Sequence, residues 1–151
     1  MKYLSVLIIG IVLTLSCPAF ASEGVKWLSL KEGIEKAKTE NKPIIVDFFF
    51  GKGCPRCEKL QSNVYSNPAI AKKIMDDFVP VMVDLKKKLS KEEEELGKKY
   101  DFKNDCLLLF LDPEGNIIKD PGGKRLCFVD YVEPDAFIQY LDMVKARLSN
   151  K

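Results

Sequence analysis

The stretch that most constrains this chain is Gly51-Lys52-Gly53-Cys54-Pro55-Arg56-Cys57. A run of strand-forming residues, Ile44 to Phe50, leads into it, and helix-compatible residues, Glu58 to Gln61, follow. Two cysteines two residues apart at the start of a helix can close a small disulfide ring with little backbone movement. The first sulfur then lies over the free N–H groups of the helix N-terminus, which stabilise its thiolate. Pro55 suits the first turn, where its missing N–H would have had no partner.

The remaining composition narrows the chemistry. At 151 residues the chain is long enough for one domain and not comfortably two, and 46% hydrophobic residues against 30% charged allow a real core. A net charge of +2 makes nucleic acid an unexpected partner. There is no histidine, so cysteine is left as the side chain suited to chemistry near neutral pH.

Residues 1–21 read as a cleaved signal peptide, with residues 22–151 as one domain. Lys2 gives a positive start, and Leu4 to Leu15 is an apolar run too short for a comfortable membrane span. Ala19-Phe20-Ala21 then fits a small-x-small cleavage site. An integral membrane protein is therefore not expected. Two alternatives are an uncleaved anchor and lipidation at Cys17, although Thr14-Leu15-Ser16 lacks the leucine a bacterial lipobox places three residues upstream. After cleavage four cysteines remain, Cys54, Cys57, Cys106 and Cys127. An even number in an oxidising compartment, the periplasm if the source is Gram-negative, allows two disulfides.

Along the chain, Ser29 with Glu32 reads as a capping box that opens a helix ending near Asn41. Trp27 before it reads as a packing residue. Ile44 to Phe50 suits a central strand buried on both faces, and Asp47 within it is costly unless paired or given a task. Asn67-Pro68 starts another helix, Phe78 to Asp84 forms a strand, and Ser90 with Glu93 caps a helix running to about Tyr100. The charges of that helix read as a solvated face. Cys106 to Leu111 reads as a strand, Asp112 to Asn116 as a turn, and Leu126 to Val132 as extended chain after the Pro121-Gly122-Gly123 break. A last helix opens at Pro134, with Phe137, Leu141, Val144 and Leu148 on one face. This order predicts an α/β fold: a central mixed sheet with helices on both faces.

These residues together resemble the thioredoxin-fold proteins, and more narrowly the exported thioredoxin-related group. The resemblance rests on Lys42 to Phe48, Cys54-Pro55-Arg56-Cys57, Asn67-Pro68-Ala69-Ile70, Phe78 to Asp84, and Leu107 to Asn116. It spans roughly Trp27 to Leu148 and implies the thioredoxin fold. Three departures stand out. Gly53 occupies the place of the family's usual tryptophan. Asp47 lies seven residues before Cys54, whereas the family's buried proton-relay aspartate lies six before, so relay and purely structural roles stay open. Asp105 takes the place of the family's cis-proline, beside Cys106. A cis bond there would cost roughly 3 kcal/mol, so a trans loop and altered substrate docking are expected.

The resemblance implies thiol–disulfide exchange with protein substrates and no cofactor beyond the redox-active cysteines. Cys54 is the expected nucleophile, with Lys52 and Arg56 favouring its thiolate, and Cys57 the resolving thiol. The likeness to the reducing branch implies a reductase or isomerase, rather than an oxidant, recharged by a membrane electron donor. For Cys106 and Cys127 three readings stand: a structural disulfide, two buried free thiols, or Cys106 joining the active site. The last opens a different class, a metal or iron–sulfur protein using Cys54, Cys57 and Cys106. Against it, the spacing fits no metal signature and no histidine could complete a set, so no metal site is assigned.

Overall fold

The computed structural model describes residues 24–100 and 108–149. The expected signal peptide, residues 1–21 with Cys17, and the residues Asp105 and Cys106 lie outside the described residues.

Ser29 caps helix α1 (Leu30–Glu40) by a capping box: its hydroxyl accepts from the Glu32 N–H, and the Glu32 carboxylate accepts from the Ser29 N–H. The helix stops at Asn41, whose φ of 51° is left-handed. Strand β1 (Ile44–Phe49) follows and ends at the cysteine motif. Helix α2 (Pro55–Lys59) starts there and passes directly into a π-helix, Leu60–Tyr65. Asn67 caps α3 (Pro68–Asp77), its side chain accepting from the Ala69 and Ile70 N–H groups, with Pro68 in the first turn. Then come β2 (Val79–Asp84), α4 (Lys91–Tyr100), β3 (Leu108–Leu111), β4 (Cys127–Phe128) and α5 (Pro134–Ser149). The second capping box also forms, with Glu93 N–H donating to Ser90 and Ser90 N–H to Glu93.

The strands lie in the order β2-β1-β3-β4. β1 pairs parallel with β2, in a register that sets Asp47 beside Met82, and antiparallel with β3, which sets it beside Leu108. β3 pairs antiparallel with β4. Parallel pairing is possible because π-helix and α3 carry the chain back between β1 and β2. The expected mixed sheet is therefore present.

Side chains alternate along β1, so one strand feeds two cores. Ile44, Val46 and Phe48 face Leu30 and Ala37 of α1 and Tyr100 of α4. Ile45 faces the other way, into a core built from Cys57, Leu60, Val64, Tyr65, α3 and α5. Asp47 shares the face of Ile45. Helix α1 lies so close to β2 that a Cβ on Gly33 would sit 2.1 Å from Val81 Cγ2. Asp77 ties α3 to α5 through Lys145, and Lys73 bridges Asp77 and Asp142. Burial alone would raise the Asp77 carboxyl, but Lys145 and Lys73 outweigh it and hold it below the usual range.

Extended structure after the Asp112–Asn116 turn is shorter than the sequence suggests. Ile117 and Lys119 make only isolated bridges, and β4 is two residues long. Just past β4, Arg56 Nη1 donates to the Val129 carbonyl.

Candidate active site

The loop after β1 needs two residues that tolerate positive φ, and the sequence supplies Gly51 at +84° and Gly53 at +88°. Gly51 also packs against the Lys86 stem, leaving no room for a Cβ. At Gly53 the space is open, so backbone angle alone disfavours the aromatic that the resemblance would place there. The Gly53 N–H donates to Glu58 Oε1 at 3.0 Å, closing the loop onto the first turn of α2.

Cys54 is the N-cap of α2, and its Sγ accepts from the Cys57 N–H at 3.2 Å. The two sulfurs are joined in a disulfide, with Cα atoms 5.3 Å apart. Cys54 is half-buried, whereas Cys57 is only 2% exposed and belongs to the core. One sulfur is thus nearer the surface and the other lies in the core behind it.

The two basic residues of the motif differ. Lys52 is exposed. Arg56 is half-buried and holds the Val129 carbonyl, so its guanidinium serves as a strut between α2 and the segment after β4. Lys59 reinforces this over the Tyr131 ring, 5.6 Å from its centroid, and Tyr131 in turn donates to Glu133 at 3.2 Å. Val129 is the most exposed large apolar side chain of the described residues, at 55%.

Asp47 is 2% exposed. Burial pushes its carboxyl up from the ordinary 3.8 to about 7, opposed in part by the nearby Tyr65 phenol. The two groups influence each other but are not in hydrogen-bonding geometry: Asp47 Oδ1 and the Tyr65 hydroxyl are both buried without a partner. Tyr65 is the member of this site that sequence reasoning missed. Its ring stacks edge-on against Trp27 at 4.9 Å and Phe137 at 6.4 Å, so Trp27 does pack as expected.

Cys127 is half-buried and disulfide-bonded, and its partner lies outside the described residues, as do the expected site residues Asp105 and Cys106. Among the described residues no group of three or more Cys, Asp or Glu side chains is placed to hold a metal ion. No described helix is long and apolar enough to cross a membrane. A cleft of about 500 Å³ lies away from the cysteines, at the pole where β1 begins and β3 ends, lined in part by Asn41, Asp77, Asp112 and Lys145.

A thioredoxin-like domain model matches residues 30–145. The chain belongs to the thioredoxin-like family. Several solved thioredoxin-like structures superpose on it. DsbH oxidoreductase does so at a TM-score of 0.64 and 23% identity, covering 91% of this chain and 95% of that one. A putative disulphide-isomerase from Bacteroides thetaiotaomicron gives 0.56 and 26%, covering 85% and 96%. The reduced C-terminal domain of DsbD from Neisseria meningitidis gives 0.54 and 21%, covering 76% and 92%. No curated protein matches the sequence. The family and the joined Cys54–Cys57 pair together are the equipment of thiol–disulfide oxidoreductases in general.

Proposed function

We propose that this chain is an exported thiol–disulfide oxidoreductase that reduces or isomerises disulfides in protein substrates. The observation that carries this is the asymmetry of the cysteine pair: Cys54 at the open N-cap of α2, Cys57 buried one turn in. In the reduced protein the Cys54 thiolate attacks a substrate disulfide and expels one substrate thiolate. Cys57 then attacks the Cys54 sulfur, releases the second substrate thiol, and closes the Cys54–Cys57 disulfide. Two electrons pass to the substrate, and a membrane electron donor restores the dithiol. Asp47 acts as the proton relay, accepting the Cys57 proton as that thiol becomes a nucleophile. A carboxyl titrating near 7 is matched to that task. Lys52 favours the Cys54 thiolate from solvent, and Arg56 does so from its strut position. Cys127 pairs with Cys106 as a structural disulfide, and Asp105 gives the substrate loop a docking geometry unlike that of family members with proline.

The reading is tested with cysteine variants of the mature protein. Cys54→Ser is expected to abolish reduction of a protein disulfide, and Cys57→Ser to accumulate mixed disulfides visible on non-reducing gels. Equal activity in either variant and the wild type would sink the mechanism. The direction of electron flow is read from the reduction potential of the pair. A value near −270 mV, about that of thioredoxin, fits a reductase, and one near −120 mV would make it an oxidant instead.

A further inference from the structure

Among the buried polar atoms without a partner in the described residues, two belong to residues that act on each other. Asp47 Oδ1 and the Tyr65 hydroxyl have no hydrogen-bond partner and almost no solvent contact. We propose that Tyr65 is a positioning residue for Asp47, its hydroxyl being the donor that holds the carboxylate on the Cys57 side of the sheet. The proposal rests on the relay role given to Asp47 above.

Three observations place Tyr65 there. First, the helix changes type where Tyr65 is needed. Five residues beyond Leu60, an α-helix would turn a side chain about 140° away from the Leu60 direction. The i→i+5 spacing of the π-helix Leu60–Tyr65 brings the fifth residue back towards it, and Leu60, Val64 and Tyr65 are all buried in one core. Second, the ring is clamped edge-on by Trp27 and Phe137, so the hydroxyl has little freedom to seek another acceptor. Third, among the described residues no other polar group competes for the carboxyl. Its strand neighbours are Met82 and Leu108, and α3 and α5 fill that core with apolar groups, Ile70, Ile74, Phe137 and Leu141 among them. Tyr65 is the one titratable group among the described residues whose influence reaches Asp47. Cys57 lies in the same core as Tyr65 and is disulfide-bonded here.

A buried phenol is a neutral donor, so it stabilises the carboxylate relative to the protonated acid. Removing it moves Asp47 ionisation to higher pH, and less of the base form is present near neutrality. A small rotation of the carboxyl closes the bond between these two orphaned groups.

The test has two parts. The titration of Asp47 is followed by carboxyl ¹³C NMR in the oxidised wild-type protein and in Tyr65→Phe, which keeps both ring contacts. A midpoint raised by about one pH unit in the variant is expected, and an unchanged midpoint overturns the proposal. Separately, the Cys54 mixed disulfide with glutathione is made, and its resolution by Cys57 is timed across pH 5–9. Tyr65→Phe is expected to be up to about tenfold slower than wild type at low pH, with the two profiles converging at high pH. A uniform slowing at every pH would mark a merely structural role and overturn it. Asp47→Asn distinguishes the underlying reading: if that variant resolves the mixed disulfide with the wild-type pH profile, the relay itself fails, whatever Tyr65 does to the titration.

Discussion

At the scale of single residues, Asp47 is a costly side chain to bury. Its carboxyl ionises near 7 in the folded chain against an ordinary 3.8. Between those values the folded state holds a proton that the unfolded state has released, so stability falls as pH rises through this window. Above 7 the loss is complete and amounts to about 4 kcal/mol relative to acid. Asp47→Asn, neutral at every pH, is therefore expected to be more stable than wild type at pH 8, with the advantage gone near pH 4. Urea midpoints at the two pH values check this, and parallel behaviour of both proteins would refute it. The presence of a buried, costly aspartate was legible in the sequence, because Asp47 interrupts an apolar run. Its neighbour Tyr65 was not, since nothing along the chain links residues eighteen positions apart before strand and helix have packed. Gly53 also makes its point at this scale. Gly53→Ala meets no atom, yet the +88° angle should cost about 1–2 kcal/mol in thermal or urea unfolding.

At the scale of elements, starts were easier to read than interiors and ends. Both capping boxes and the Asn67-Pro68 start form as expected, because a cap is a short-range contact among three or four residues. Replacing Asn67 with Ala removes the acceptor of two N–H groups and should cost about 1 kcal/mol, readable as a lowered melting temperature. The π-helix gave no such warning, because no cap or spacing along Leu60–Tyr65 marks it. The contact of Arg56 with the Val129 carbonyl was no more legible, since it joins segments far apart in sequence. Gly33 shows how packing can overrule propensity. In an exposed helix Gly33→Ala would stabilise, but here the added methyl meets Val81, and a loss of about 1–3 kcal/mol is expected from denaturation curves.

At the scale of the whole molecule, β1 binds the two cores into one cooperative unit. Ile45 serves one face and Ile44, Val46 and Phe48 the other, all within 2% of full burial. Ile45→Ala should lower global stability by about 2–5 kcal/mol. Amide exchange should be slowest in β1 and β2 and fastest in the exposed turn around Gly122 and the Lys86–Lys88 loop. Uniform protection across the molecule would contradict this ranking. The mixed sheet as a whole was legible from element order, because parallel pairs need crossovers and tight turns do not.

The direction of β1 also separates the two poles of the fold. It leaves Asn41–Pro43 at one end and delivers the chain to Cys54 at the other, while Leu148 and Ser149 of α5 line the cleft beside Asn41. A tether fixed after Ser149 would thus hold the protein upright with its disulfide turned outward. On an electrode or a resin it would stand as an oriented layer, every copy presenting Cys54 to the liquid.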